Sequence, residues 1–306
     1  MLPVSKIVWH ESNARVRPVR RPEPETMTDP EQVRSYVAAY AWGGPTSALQ
    51  LHHLRELSRL IRPGDVVVDL ACGPGPLLLE LAALYPDVTF IGVDLSSTML
   101  DFLAAAAKAR GLHNIEVRKE DIRRLPSLRG IKVDLVISTS ALHHLPDEQS
   151  LLDVFHRIAS LLRRDGGFYL FDFGLLKSAQ ARQLFVAEVA KSAPPATVRD
   201  YDLSLQAAFG LDRVYAGARK RLPRPFTASR SALVDFCYFL QSPPRATCQR
   251  SVQSYLDHVW SGLSMAMKAE HVMLRLMRTR SVIRPRAAGT GEHSFGGPMT
   301  VTHAGS

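Results

Sequence analysis

The stretch that decides the fold is Val66–Pro76, VVVDLACGPGP, in which an apolar run leads into a glycine loop. Three consecutive valines are typical of a strand that is covered on both faces, as in a parallel sheet. Gly73 and Gly75 let backbone N–H groups approach a ligand without obstruction by a side chain. Pro76 suits the first turn of a helix over residues 77–84. The stretch therefore predicts a strand, a nucleotide-cofactor loop and a helix in succession.

The spacing of this loop argues against a dinucleotide cofactor. A dinucleotide fingerprint needs G-x-G-x-x-G, and Leu78 stands at the position of its third glycine. Two acidic residues accompany the loop instead, Asp69 in the first strand and Asp94 at the end of the next strand. Asp94 follows Gly75 by roughly twenty residues, the separation between a phosphate-type loop and a ribose-binding acid in nucleotide folds. A carboxylate at this place offers two acceptor oxygens to a vicinal diol.

This pattern resembles the first motif of the class I S-adenosylmethionine (SAM)-dependent methyltransferases, hydrophobic-Asp-x-(Gly/Ala)-x-Gly-x-Gly. Similar segments follow in the order of that family: FIGVDLS at 90–96, NIEVRKEDI at 114–122, VDLVIS at 133–138 and GGFYLFDF at 166–173. Residues 138–144, STSALHH, stand where enzymes that methylate nucleic-acid amino groups carry an Asn/Asp-Pro-Pro-Tyr/Phe-like sequence. The segment is similar to the small-molecule branch, which includes quinone and natural-product methyltransferases.

The resemblance implies a fold and an organisation of the chain. The expected fold is α/β, a Rossmann-like, seven-stranded, mainly parallel sheet with helices on both faces, plus N-terminal helices and a helical C-terminal addition. The expected divisions are a flexible arm at 1–28, N-terminal cap helices at 29–60, a SAM-binding methyltransferase domain at 61–240, a C-terminal helical extension at 241–286 and a flexible tail at 287–306. The last two strands are expected within residues 225–240.

The resemblance also implies a cofactor, SAM, and the residues that bind it. The loop would hold the methionine portion, Asp94 the ribose hydroxyls, and Asp121 with Ile122 the adenine. The full set of predicted cofactor-binding residues is Asp69, Ala71, Gly73, Gly75, Asp94, Leu95, Met99, Asp121, Ile122 and Ser138. Tyr36 and Tyr40, four residues apart on one helix, would either contact the methionine end or substrate, or anchor their helix to the sheet.

Catalysis by methyl transfer needs positioning above all, because the transferred carbon is already activated by a positive sulfur. A general base is needed only where the acceptor must lose a proton. His143 and His144 are the candidates for that base, since an imidazole titrates near neutrality. The alternative is that both residues pack or cap the chain at this position. No metal site is predicted, because the three cysteines, Cys72, Cys237 and Cys248, show no zinc-ligand spacing.

The net charge of +9 raises the question of a nucleic-acid acceptor. The basic excess lies in residues 181–306, which contain 17 Lys and Arg against 8 Asp and Glu. Its densest groups are Arg219-Lys220-Arg221 with Arg224, and Arg275, Arg278, Arg280, Arg284 and Arg286. A basic patch can mark a surface that binds phosphate groups. The ordinary alternative is that these residues lie on a solvated helix end or tail. An RNA methyltransferase therefore stays an alternative to the small-molecule enzyme, as does a non-catalytic SAM-binding partner subunit.

Three further features concern compartment and acceptor. The odd number of cysteines suits a reducing cytoplasm, and a cytoplasmic location is expected. No apolar run reaches the roughly 18 residues of a membrane span, and a signal-peptide segment is not expected. Residues 251–280 form an amphipathic helical stretch with Met265, Met267, Met273 and Met277. These methionines would either fill an irregular core or form an apolar wall that contacts a hydrophobic acceptor.

Overall fold

The computed structural model describes residues 3–16, 18–26, 30–222, 225–276 and 278–283. The helices are α1 (Val4–Ser12), α2 (Pro30–Ala39), α3 (Ser47–Leu57), α4 (Pro76–Leu84), α5 (Ser97–Ala109), α6 (Glu148–Leu161), α7 (Ala179–Val189), α8 (Pro195–Ala207), α9 (Leu211–Arg221), α10 (Arg250–Gly262) and α11 (Met265–Leu276). The strands are β1 (Val66–Leu70), β2 (Thr89–Asp94), β3 (Ile115–Lys119), β4 (Val133–Thr139), β5 (Leu162–Phe173), β6 (Phe226–Ser231), β7 (Cys237–Gln241) and β8 (Arg278–Ile283). Short 3₁₀ turns occupy Pro126–Leu128 and Leu142–His144.

The strands form a single sheet in the order β3-β2-β1-β4-β5-β7-β6-β8. The pairs from β3 to β5 are parallel, and β7 pairs antiparallel with β5, followed by β6 and β8. The carboxyl ends of the five parallel strands meet at one edge. Because the chain runs outward from β1 in both directions, this edge opens a crevice beyond β1 and β4, which is where open α/β sheets bind ligands. The expected Rossmann-like, mainly parallel class is confirmed.

The strand residues alternate between two hydrophobic cores, one on each face of the sheet. Val68 and Val136 belong to the core beneath α6 and α9, whereas Val67 and Leu135, one position away, belong to the core beneath α3, α4, α5 and α10. Successive side chains of a strand point to opposite faces, so a strand covered on both sides must be apolar throughout. This explains why β1 reads as consecutive valines, and it confirms helices on both faces.

The sheet departs from the expected seven strands by one addition at its edge. β8 pairs along β6 from Phe226 opposite Ile283 to Ser231 opposite Arg278. Residues up to Arg280 were expected to be helical, and that expectation is wrong for 278–280. An edge strand exposes unpaired backbone N–H and C=O groups, and β8 satisfies those of β6. The other two late strands, β6 and β7, fall where the sequence places them.

The interpretation of residues 1–28 as a flexible arm is also wrong in part, because residues 4–12 form helix α1. Ile7 is 2% exposed and joins Leu176, Phe185 and Leu205 in a small third core. Glu11 is buried and accepts the backbone N–H groups of Lys177 and Ser178 at 3.1 and 2.8 Å. These two N–H groups precede α7, so α1 is fixed by both apolar packing and a capping carboxylate.

Arg20 fixes the segment that follows α1. Its guanidinium donates to four main-chain carbonyl oxygens, those of Ala207, Pro146, His143 and Leu145, at 2.5 to 2.8 Å. It also lies over the ring of Phe209, 3.8 Å from the ring centroid. Residues 18–26 are thereby held across the carboxyl edge of the sheet.

Residues 195–221 form two helices, α8 and α9, with a break between them. The chain is extended at Ala208, and Phe209 forms a parallel bridge with Gly174. Phe209 is 2% exposed and belongs to the main core. Burial of this ring therefore interrupts the helix. The stretch 251–280 is likewise divided, into α10, α11 and the start of β8. The tail expected at 287–306 lies outside the described residues.

Candidate functional site

The glycine loop after β1 folds tightly around the end of β2. Ala71, Gly73 and Gly75 all have positive φ, at 54°, 56° and 66°. The loop is tied to the neighbouring strand by two bonds, from the Cys72 N–H to the carbonyl of Val93 at 3.0 Å and from the Gly73 N–H to Asp94 Oδ2 at 2.9 Å. Three left-handed residues within five positions turn the chain from strand to helix over a short distance.

Gly75 shapes this loop but does not line the cavity described below. It stands immediately before α4 in a left-handed conformation. A Cβ added there would lie 2.5 Å from Leu103 Cδ1, so α4 and α5 pack together only because this position has no side chain. The structure places Gly75 behind the loop, as a packing residue next to the predicted ligand-binding positions.

Asp94 closes β2 and is held by backbone donors. Oδ2 accepts from the Gly73 N–H and Oδ1 from the Ser96 N–H, the latter at 2.8 Å. Burial raises the pKa of Asp94, and the hydrogen bonds from Ser96, Gly73 and Leu95 oppose that rise. A carboxylate has about four lone-pair sites, and three of them accept these N–H groups, so an acceptor position remains for a ligand hydroxyl.

Asp69 is the second acid of this end of the site. It lies in β1 with 3% of its surface exposed. Burial, together with the nearby Asp94, raises the pKa of Asp69 well above its ordinary value. Two carboxylates share a poorly solvated place, an arrangement that favours a cationic ligand.

We expect Asp69→Asn to stabilise the ligand-free protein and to weaken cofactor binding. A carboxyl whose pKa is raised on folding favours the fold only while it is protonated, and that contribution is lost as pH rises through the folded-state pKa. At neutral pH the amide should therefore raise the free energy of unfolding by about 1 kcal/mol, and this gain should vanish at acidic pH.

Thermal unfolding of wild type and Asp69→Asn at neutral and acidic pH, with and without SAM, checks this prediction. The stabilisation by SAM should shrink in the variant. Asp87→Asn, at an exposed position before β2, is the matched control. An Asp69→Asn protein less stable than wild type at neutral pH would contradict the prediction.

The adenine-side residues lie together at the ends of β2 and β3. Leu95, Met99, Asp121 and Ile122 all line the same cavity as Asp69, Ala71, Gly73 and Asp94. Burial raises the pKa of Asp121, but the hydrogen bonds and charge of Arg123 outweigh it, so the pKa is lowered overall. The Arg123 backbone N–H and Nε both reach Asp121 Oδ1 at 2.8 Å. Asp121 is thus an ionised, fixed acceptor.

Ser138 is not on the cavity wall. Its side chain is fully buried and its hydroxyl donates to the Leu70 carbonyl at 2.8 Å, joining β4 to β1. The cavity is lined instead by the next two residues, Thr139 and Ser140. The predicted residue Ser138 therefore lies one position before the residues with which the end of β4 lines the cavity.

The described residues enclose a cavity of about 890 Å³ along the carboxyl edge of the sheet. The loop and the acids lie at one end of it. The other end is built by residues 23–26, α2, α7, α8 and α11, with aromatic side chains from Tyr36, Tyr40, Phe171, Phe173, Tyr201 and Phe236. Tyr36 and Tyr40 are therefore on the cavity wall, their ring centroids 4.8 Å apart.

His143 and His144 lie where the two ends of the cavity meet. His143 is 3% exposed, and its Nδ1 lies 2.6 Å from Asp172 Oδ1 while its backbone N–H donates to Asp172 Oδ2 at 2.9 Å. Burial lowers the pKa of His143, but Asp172 and Glu23 raise it by more, so the net shift is upward. Partial burial and the adjacent His143 lower the pKa of His144 to about 4.

Glu23 and Asp172 are the site residues that sequence reasoning missed. Glu23 Oε1 lies 3.3 Å from His143 Nε2 and 3.5 Å from His144 Nδ1. Asp172 carried a signal, since it is a lone acid in the otherwise apolar end of β5. Glu23 carried none, because it stands in a proline-rich segment some 120 residues before its partners, where no periodicity marks an inward-facing position.

The basic groups and the methionines lie in different places. Arg219 and Lys220 are exposed in the last turn of α9, where they complement the helix dipole, and Arg275 is exposed on α11; none of the three lines the cavity. Met265 is 80% exposed and Met273 45%, so neither fills a core. Met267 does line the cavity. Cys72, Cys237 and Cys248 are free thiols.

The parallel sheet, the glycine loop and the acids at the strand ends define a methyltransferase fold of the class I, SAM-dependent type. Residues 67–166 match the family model described as "Methyltransferase domain". The chain therefore contains a methyltransferase domain of the class I superfamily, whose cofactor is SAM. Within the described residues a bilayer-spanning helix is absent.

The chain is similar to several curated methyltransferases over this region. It is 40% identical over 100 residues to trans-aconitate 2-methyltransferase of Deinococcus radiodurans, covering 32% of this chain and 36% of that protein. It is 30% identical over 99 residues to demethylmenaquinone methyltransferase of Geobacillus stearothermophilus, covering 32% and 42%. It is 40% identical over 79 residues to the human U6 snRNA (guanine-N(2))-methyltransferase THUMPD2, covering 26% and 16%. The chain thus spans less than half the length of each of these relatives.

Among solved structures, two plantazolicin methyltransferases share the fold over most of their length. BamL superposes with a TM-score of 0.52 at 13% identity, covering 78% of this chain and 93% of that one. BpumL superposes with a TM-score of 0.52 at 11% identity, covering 84% and 92%. At such identity the likeness concerns the fold alone.

Proposed function

We propose that the protein transfers a methyl group from SAM to a small-molecule acceptor inside the cavity described above. The observation that carries the proposal is the continuity of this cavity, in which the motif residues form one end and an aromatic wall forms the other. Its volume of about 890 Å³ lies within the size range of small-molecule sites.

The residues of the first end fit the cofactor. Asp94 would accept the ribose hydroxyls, Asp121 the adenine amino group with Ile122 against the ring, and the loop with Asp69 would hold the methionine portion. Bound SAM supplies a methyl group already activated by a positive sulfur. Asp69 and Asp94 would place negative charge near that cation. Burial and the nearby Asp94 raise the pKa of Asp69, so a positively charged ligand would favour the ionised form of this carboxyl.

The charge of the cavity favours a neutral or cationic acceptor. Eight carboxylate residues line it, and among its described lining residues there is neither lysine nor arginine. This contrasts with the net charge of +9 for the whole chain. The name of the Deinococcus relative implies an acceptor with several carboxylates for that protein. An acceptor of that kind would find no lysine or arginine among the described lining residues of this cavity. Phosphate recognition likewise depends on Lys and Arg.

The RNA alternative would need the basic groups to serve as a substrate surface. Arg219, Lys220 and Arg275 are exposed but do not line the cavity, so an RNA bound to them would have to extend from them into an acidic cavity. Small-molecule methyl transfer needs no such reach. A base role for His143 stays a prediction, and it would involve Glu23, because Nε2 of His143 lies 3.3 Å from that carboxylate.

Incubation of the purified protein with methyl-labelled SAM and a bacterial extract tests the proposal. Label is expected in the small-molecule fraction, at a rate that changes little with salt. Label in RNA, with a rate that falls steeply as salt rises, would overturn it in favour of the RNA enzyme. Binding of S-adenosylhomocysteine without transfer to any fraction would favour the non-catalytic partner. Asp94→Ala protein should give no label and serves as the negative control.

A further inference from the structure

Three potential metal ligands meet at the junction of the two ends of the cavity. Glu23, His143 and His144 each offer one ligand atom, and these atoms all lie within 4.8 Å of one another. Glu23 reaches the two histidines from residues 18–26, the segment that Arg20 fixes. All three residues line the cavity.

The carboxylate of Glu23 is buried without a donor for one of its oxygens. The side chain is 7% exposed, and Oε1 has no hydrogen-bond partner. The atom that faces it at 3.3 Å is Nε2 of His143, whose Nδ1 lies against Asp172 at 2.6 Å. When the Nδ1–H donates to Asp172 and Nε2 carries no proton, Nε2 and Glu23 Oε1 are two acceptor atoms that face one place. A cation bound there would take the place of the Nε2 proton of the charged ring.

Two of the three separations between these atoms fit a four-coordinate ion, and the third, between the two histidine nitrogens, is within 4.8 Å. A tetrahedral ion with ligand bonds near 2.0–2.1 Å separates neighbouring ligand atoms by about 3.3–3.4 Å. Glu23 Oε1 lies 3.3 Å from His143 Nε2 and 3.5 Å from His144 Nδ1. Nδ1 of His144 also lies 3.1 Å from the carbonyl of Pro24, and an ion would take the place of that hydrogen bond.

The surroundings supply what metal-ligating histidines normally have. Asp172 is 1% exposed and binds both the ring and the backbone N–H of His143, so the tautomer and orientation of the ring are fixed. A carboxylate behind a ligating histidine is the common outer partner in zinc sites. Eight carboxylate residues line the cavity, with no lysine or arginine among the described lining residues, and this excess of acidic groups favours a cation.

We propose that Glu23, His143 and His144 bind a divalent transition-metal ion, with Zn²⁺ suited to two imidazoles and a carboxylate, and that the ion's fourth position opens to the acceptor end of the cavity. Three protein ligands with one open position are typical of catalytic zinc. An acceptor hydroxyl or enol oxygen bound there loses its proton more readily, and the proton leaves to solvent. This second step rests on the proposed function, whereas metal binding itself does not.

Metal binding by the full chain tests the site without any methyl acceptor. Protein freed of metal with a chelator is titrated with Zn²⁺ in a calorimeter and with Co²⁺ followed by its visible absorption. One equivalent of Zn²⁺ should bind, and Co²⁺ should give the intense bands of a four-coordinate complex. Glu23→Gln and His144→Ala should each weaken binding by at least 10-fold, because each removes a ligand.

His156→Ala, at an exposed position of α6, is the matched histidine control and should bind metal as wild type does. All variants should bind S-adenosylhomocysteine, which shows that the cofactor end is folded. Failure of wild type to bind Zn²⁺ or Co²⁺ would overturn the metal site, as would binding that Glu23→Gln and His144→Ala leave unchanged. Failure of the proposed function would instead appear as correct metal binding with no small-molecule labelling.

Discussion

Replacement of Asp94 by alanine is expected to weaken S-adenosylhomocysteine binding by about 100-fold, or ~3 kcal/mol. Two losses add. The acceptor for both ribose hydroxyls disappears, and hydrogen bonds to a charged group are each worth ~1.5–3 kcal/mol. The N–H groups of Gly73 and Ser96 also lose the carboxylate that fixes them, at 2.9 and 2.8 Å, so the glycine loop loses one of its two hydrogen bonds to β2.

Calorimetry with three variants separates these two losses. Asp94→Asn keeps one acceptor oxygen but replaces the other with a donor, which repels either the Gly73 N–H or a hydroxyl, so about a 10-fold loss is expected. Asp101→Ala removes an exposed carboxylate from the neighbouring helix α5 and should bind as wild type does. An Asp94→Ala protein that binds within twofold of wild type would show that Asp94 is not a ribose ligand.

Replacement of Arg245 by alanine is expected to reduce the free energy of unfolding by about 3–5 kcal/mol. Arg245 follows β7 and reaches back to the start of β1. Its side chain and that of Asp65 are each 6% exposed, and Nη1 lies 3.0 Å from Asp65 Oδ2. Nη1 also donates to the Leu60 carbonyl at 2.9 Å and Nε to the Asp165 carbonyl at 3.0 Å. Its loss leaves the buried Asp65 carboxylate without its cationic partner, although the Arg62 N–H still donates to Oδ2 at 2.9 Å, and it removes a donor from each of the two carbonyls.

Urea unfolding of Arg245→Ala, beside Arg250→Ala at an exposed position, measures this loss. The double variant Arg245→Ala with Asp65→Asn should recover part of it, because the buried charge is gone. Asp65 precedes β1, so the pair lies at the opposite edge of the sheet from the cavity. Cofactor affinity of the folded Arg245→Ala protein should therefore stay unchanged. A loss of stability no larger than that of Arg250→Ala would contradict the prediction.

Much of the fold was predictable because its signals are local. The valines of β1, the loop glycines and Asp94 are within thirty residues of each other, and the periods of the neighbouring helices are clear. β8 escaped prediction because its strand conformation depends on pairing with β6. The break between α8 and α9 escaped because it depends on the burial of Phe209 against Gly174, a contact that no local pattern contains.

The candidate site likewise has one part that local sequence motifs predict and another that depends on tertiary contacts. The sequence motifs predicted which residues gather at the loop end of the cavity, apart from Gly75 and Ser138, which do not line it, and their binding of SAM stays a prediction. The other end of the cavity comes from α2, α7, α8, α11 and residues 23–26, which are brought together only by the tertiary fold. Glu23 shows why sequence reasoning missed this end. Its place beside His143 and His144 depends on the hydrogen bonds of Arg20 and on a fold that brings together residues far apart in the chain. The division of the chain into domains stays a prediction.

The hydrogen bonds made by Arg20 affect which substitutions the protein can accept near the cavity. All four hydrogen bonds of its guanidinium end on main-chain oxygens, of Ala207, Pro146, His143 and Leu145. A carbonyl oxygen is present whichever amino acid occupies a position, so mutation at these four partners leaves the acceptors in place. Substitutions at these four positions can therefore change the side chains around residues 18–26, while the hydrogen bonds from Arg20 to the backbone still hold that segment across the edge of the sheet.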